Sequence, residues 1–172
     1  EALHLLNETL SLHITQFRQR TCLAFYSYLD ADFMSEIASE YIAGQEAASS
    51  ETLNSNSSMS SGGPKSSSSQ LSRAIQVLET LAKFIPGNLA AQVLLATANL
   101  AAKKTEEALR ILDACLQQDP SYTPSYLLMA RAYFDQDEVA MALRVLEGGM
   151  ARDFAIRAHP LYALVKASVV AE

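Results

Sequence analysis

With 172 residues, 49% of them hydrophobic, the chain holds enough apolar material for one compact domain or a short array, and a net charge of −6 with a pI near 5.1 leaves no basic stripe for nucleic acid or an anionic membrane. Its two cysteines, Cys22 and Cys115, are too far apart for a zinc motif or a disulfide framework, which favours a reducing compartment. The longest apolar run, residues 89–102, is too short for a bilayer and contains Gln92 and Asn99, so no direct membrane insertion is expected.

Helical periodicity covers most of the chain, and strand-like alternation is absent. The spacing predicts helices over 1–17, 31–43, 70–85, 88–103, 105–118, 123–136, 138–151 and 160–172. "EALHLLNETL" at the start matches "EALRILDACL" from Glu107, so 1–17 reads as the second helix of a truncated pair. "DFMSEIASEYI" reads as a first helix, with Ile37, Ala38 and Tyr41 in the roles that Leu95, Ala96 and Asn99 fill downstream. Its partner, containing Ala74, is delayed: Tyr41 and Ala74 stand 33 apart where Asn99 and Ala108 stand 9 apart, so about 24 residues are inserted in the hairpin turn. That insert, about 44–69, is serine-rich and is expected to be disordered, because it cannot bury enough to order itself.

Further along, Thr105 is expected to cap the helix it opens, with Glu106 and Glu107 at the positive end of the dipole, and Thr123 to cap a helix with Pro124 at its first position. Pro86 and Pro120 stop the preceding helices because neither can continue the hydrogen-bond ladder. "HPLYALVKASVVAE" reads as a first helix, 160–172, whose partner is cut away. The segments are therefore 1–17, 31–86 with its insert, 88–120, 122–154 and 160–172, expected to form an internal slice of a longer array.

A single interval organises these segments. Ala74, Ala108 and Ala142 lie 34 apart, as do Leu78, Leu112 and Leu146; Ala96 and Ala130 keep the interval in the first helices, and Pro86 and Pro120 share it. Small residues at fixed places in both helices are what an antiparallel pair needs at its closest approach, and Ala38 occupies that place in the stretched unit. The fold predicted is all-α, an α-solenoid of antiparallel helix pairs with about eight helices. A 34-residue period with this grammar and a closing proline resembles the tetratricopeptide repeat family. Asn99, where the family has a ring, and Phe154, where it has the closing proline, depart from the pattern.

Catalytic chemistry is not visible. His4, His13 and His159 stand apart and at no metal-ligand spacing, Cys115 falls where the register wants a small buried residue, and "SGGPKSSSS" lacks the spacing and the preceding strand of a phosphate loop. No enzyme, metal or cofactor is expected. What helix pairs offer is surface: the first helices line a concave face whose inner positions are Val93, Thr97 and Leu100 in one repeat and Leu127, Arg131 and Phe134 in the next. Against that stands the reading in which Leu100 and Phe134 pack on neighbouring helices. With one arginine and otherwise mainly apolar side chains, the face suits a lasting protein contact more than a terminal-carboxylate clamp, although a generic adaptor or co-chaperone binding short peptides remains the alternative.

Several segments carry more than the repeat grammar. "DADFMSEIASEYI", "NLAAQVLLATANLA", "DPSYTPSYLLMARAYF" and above all "DFAIRAHPLYALVKA" are similar to the family of the large tetratricopeptide subunit of intraflagellar transport complex A, the tetratricopeptide repeat protein 21 family. The Asp-Phe, Arg and His-Pro-Leu-Tyr elements give this resemblance its specificity, and it spans everything except the serine insert. The resemblance implies a non-enzymatic scaffold in retrograde ciliary transport, soluble on the cytoplasmic side of the cilium or flagellum and basal body. It implies the other complex A subunits as partners, and indirectly the retrograde dynein motor and ciliary cargo.

Overall fold

The structure, a computed structural model, describes residues 30–51 and 65–171 together with Leu5, Glu8, Thr9, Ser11 and Leu12. Those five N-terminal residues are helical; the rest of the helix expected over 1–17 lies outside the described residues. Seven α-helices follow: α1 (Ala31–Glu51), α2 (Lys65–Phe84), α3 (Leu89–Ala101), α4 (Thr105–Gln118), α5 (Thr123–Phe134), α6 (Val139–Met150) and α7 (Pro160–Ala171), with a 3-10 turn at Phe154–Ala158 between the last two. No strand occurs among the described residues. The architecture is the all-α tetratricopeptide class of helix pairs.

The chain divides into two compact units, Glu1–Leu81 and Ala82–Glu172. In the first, α1 buries Met34, Ile37, Ala38, Tyr41 and Ile42, and α2 buries Leu71, Ala74, Ile75, Val77, Leu78 and Leu81. These are the apolar stripes expected at helical spacing, each about one face wide. The helices are longer than the sequence predicts. α1 continues past residue 43 to Glu51, and α2 begins at Lys65 instead of 70, so both edges of the expected disordered insert are helical. Extending a helix that packing has already nucleated needs only tolerable propensity, and "QEAASSE" and "KSSSSQ" supply it. The remainder of that insert, 52–64, lies outside the described residues.

In the second unit α3 pairs with α4 and α5 with α6, α4 packs on α5 and α6 on α7, and the first helices touch in succession, α3 on α5 and α5 on α7. Ala96, Ala108 and Leu112 form one fully buried cluster; Ala130, Val139, Ala142, Leu146, Ile156 and Val165 form another. The alanines with repeat-packing roles downstream, Ala96, Ala108, Ala130 and Ala142, are completely buried, as are Ala38 and Ala74 in the first unit. A methyl group is what the backbones tolerate where the helices cross. Pro86 and Pro120 each stand two residues beyond the last turn of a helix, α2 and α4.

Both hairpin turns of this unit close in the same way. After α3, Lys103 N–H donates to Leu100 O (2.9 Å) and Lys104 N–H to Asn99 O (2.8 Å); after α5, Asp137 N–H donates to Phe134 O and Glu138 N–H to Tyr133 O (both 3.0 Å). This double closure needs a left-handed residue, and Lys103 (φ 62°) and Asp137 (φ 66°), 34 positions apart, adopt it without being glycine. Two expected caps are corrected. α4 is preceded by Lys104 and α5 by Tyr122, neither with a side-chain cap, so Thr105 and Thr123 are first helical residues and Pro124 is the second. The left-handed turn delivers the chain to α4 one residue earlier than a threonine cap requires, and the Thr123 hydroxyl is engaged elsewhere. Asn88 does cap α3, its Oδ1 accepting from Ala91 N–H at 3.1 Å.

Candidate protein-binding groove

The successive contacts of α3, α5 and α7 leave an open groove of about 510 Å³ within the second unit. Val93 and Thr97 come from α3; Pro124, Leu127, Leu128 and Arg131 come from α5; His159, Pro160, Leu161 and Leu164 complete it at the start of α7. Four of the six inner positions read from sequence, Val93, Thr97, Leu127 and Arg131, are thus brought together. Leu100 and Phe134 are not. Leu100 packs on the Ala96–Ala108–Leu112 cluster and Phe134 on the cluster around Ala130 and Leu146, because each sits in the last turn of its helix, where the following hairpin folds over it.

Sequence periodicity missed the α7 contribution for a definable reason. α3 and α5 begin 34 residues apart, at Leu89 and Thr123, whereas α5 and α7 begin 37 apart, at Thr123 and Pro160. The 3-10 turn accounts for the extra residues, so the row that starts Val93, Leu127 continues at Leu164 and not at Leu161. The signal available was the "DFAIRAHP" segment itself, whose Phe154 stands where the closing proline would be.

Polar groups around the groove are few and specifically engaged. Thr97 Oγ1 donates to Val93 O at 2.9 Å, which commits its proton to the helix. His159 Nδ1 accepts from Leu161 N–H at 3.2 Å, so the neutral ring carries its proton on Nε2. Arg131 lies 3.9 Å from Asp135 one turn on, with both side chains about two-thirds exposed, a loose surface pair. The rim is held from outside the groove by Asp153. Its Oδ2 accepts from Thr123 Oγ1 at 2.5 Å and its Oδ1 from Ala155 N–H at 2.9 Å, tying the first turn of α5 to the 3-10 turn that leads into α7. The Thr123 bond first, then the Ala155 amide, hold the Asp153 carboxyl below the usual carboxylate range.

Beneath α3 lies a polar cluster unconnected with the groove. Cys115 is fully buried and free; its thiol donates to Gln92 Oε1 at 3.0 Å, and Gln92 Nε2 donates to Pro86 O. Burial pushes the thiol pKa up, outweighing the opposite pull of Ser125, whose buried hydroxyl makes no bond of good geometry. Such a thiol packs and does not react. Among the described residues no group of three or more His, Cys, Asp or Glu is placed to hold a metal, and no described helix is long and apolar enough to cross a membrane.

Comparison with known proteins fits this geometry. Residues 1–137 match the family model described as the second ARM domain of tetratricopeptide repeat protein 21. The mouse and human tetratricopeptide repeat proteins 21B are each 32% identical to the chain over 97% of its length, while it spans only 12% of theirs. Human tetratricopeptide repeat protein 21A is 42% identical over 62 residues, 36% of this chain and 5% of that protein. Two solved structures share the fold at low identity. They are a thermophilic tetratricopeptide protein of Thermus thermophilus (TM-score 0.57, 18% identity, 98% of this chain and 76% of that one) and the TPR2AB domain of yeast Sti1 in its pHSP90 complex (TM-score 0.51, 17% identity, 95% and 64%). Helix pairs at a 34-residue pitch, a family match over residues 1–137 and relatives aligned almost end to end with this chain place it in the tetratricopeptide repeat protein 21 family.

Proposed function

We propose that the chain is a non-catalytic scaffold segment of a large tetratricopeptide subunit of intraflagellar transport complex A, serving retrograde ciliary transport and cargo trafficking through protein–protein contacts. The observation that carries this reading is the match along nearly the whole chain to relatives of whose length it spans about an eighth. The apolar groove supports it, since a lasting contact is built on a desolvated centre with few charges. The partners are the other complex A subunits and, through them, the retrograde dynein motor and ciliary cargo. The place of action is the cytoplasmic side of the cilium or flagellum and basal body.

The test is co-purification with the tagged full-length protein from ciliated cells, comparing wild type with Leu164→Glu. Leu164 is half exposed, so the substitution changes the groove without emptying the core. Complex A subunits are expected with the wild type and in reduced amount with the variant. Their absence from the wild-type eluate overturns the assignment, and recovery of chaperones in their place favours the adaptor reading.

A further inference from the structure

We infer that the occupant of the groove is an apolar partner segment carrying one internal carboxylate, which Arg131 binds; this rests on the protein-contact reading above and specifies its chemistry. The argument begins with sign. Of the groove-lining side chains, only Arg131 and His159 can be cationic, and no Asp or Glu lines it, although the chain as a whole carries −6. The polar hydrogens presented to the groove belong to donors alone: the guanidinium fork of Arg131 and the Nε2–H of His159, while the Thr97 proton is already committed to Val93 O. Donors in a groove whose lining holds no acid call for an acceptor from the partner, and among protein side chains the planar carboxylate matches a guanidinium bidentately.

Two further features point the same way. Arg131 is not hydrogen-bonded to Asp135: at 3.9 Å between well-exposed groups the pair is loose, and a partner carboxylate can displace it. α7 opens into the groove at Pro160 and Leu161, and its first turn contains no acidic residue, so the positive end of its dipole is met there by no charge of the helix itself. The net charge of −6 disfavours a strongly acidic partner as a whole, while Arg131 gives a single carboxylate a local counter-charge that fixes register. A basic apolar segment meets like charge at Arg131. One arginine among leucines, without a cluster of further donors, fits a side-chain carboxylate within an apolar segment better than a chain end whose terminal carboxylate needs several donors to hold it.

The test is fluorescence anisotropy of labelled peptides with this 172-residue chain. The probes are short leucine-rich amphipathic peptides, amidated at the C-terminus and alike except for Glu, Gln or Lys at one internal position; a fourth carries Gln and a free terminal carboxylate. The Glu peptide is expected to bind about tenfold more tightly than the Lys peptide at low salt, the difference between an attractive and a repulsive charge contact. The gap should narrow as salt is added, and Arg131→Glu should reverse the order. The inference is overturned by an order that survives Arg131→Glu, by equal binding of the three amidated peptides, by binding of the free-carboxylate peptide alone, or by no binding to a chain with intact helical circular dichroism. Complex membership is read independently. Glu preference with no co-purification of complex A leaves the occupant standing and removes the scaffold assignment, and the converse removes the occupant alone.

Discussion

Two adjacent glycines in α6 should respond to the same substitution with opposite sign. A Cβ at Gly148 meets nothing within 4 Å, whereas one at Gly149 would lie 2.7 Å from Ile156 Cδ1 and 2.8 Å from Tyr126 Cγ. Gly148→Ala is expected to stabilise the chain by about 0.5–1 kcal/mol through helix propensity and a less free unfolded state. Gly149→Ala gains the same term but forces a ring and a buried isoleucine apart, with a net cost of about 1–2 kcal/mol. Paired thermal melts check both. Lys103→Gly should raise the melting temperature as well, relieving a left-handed cost of about 1 kcal/mol, and should do so by more than Asp137→Gly, because aspartate tolerates that region better than lysine. Residue 149 was partly legible in sequence: it lies 34 beyond Cys115, at the register position that asks for a small side chain. The left-handed turns were not legible, since lysine and aspartate carry none of glycine's signal and only the backbone reveals the conformation.

At the scale of elements, existence was easier to read than ends. The pairs α3–α4 and α5–α6 follow directly from the interval of 34, because burial of Ala96, Ala108, Ala130 and Ala142 imposes that interval on any sequence that stacks this way. The ends of α1 and α2 were missed because serines, alanines and glutamines say little either for or against a helix that packing elsewhere has started. The 3-10 turn was missed because its function is a bond between distant residues, Thr123 and Asp153. That bond has a pH signature. Asp153 has a lowered folded-state pKa, so its contribution to stability is present above the unfolded-state value and is lost as pH falls through the folded-state value. Thr123→Val should therefore weaken the loss of stability that the native chain shows on acidification below the ordinary carboxylate range, as read from melting temperature against pH. An acid limb identical to that of the native chain would mean that the bond does not hold the turn.

At the scale of the whole molecule, Val93, Thr97, Leu127 and Arg131 of the positions read from sequence line the groove. Leu100 and Phe134 turn to the core in the last turns of their helices, and the α7 side was not read because periodicity treats each unit as identical while the interval before α7 is three residues longer. The lengthened connection brings His159, Pro160 and Leu164 to the groove, so the departure from the repeat completes the surface that α3 and α5 begin. In the second unit the principal contacts of each described helix are with those one or two places away along the chain. With the principal contacts confined to near neighbours, an axial load passes from one helix to the next in series, and small displacements at each crossing add along the stack. Such a stack behaves as a compliant spring whose stiffness falls with the number of pairs, able to stretch under tension by sharing strain over many interfaces and to recoil without having unfolded any one of them.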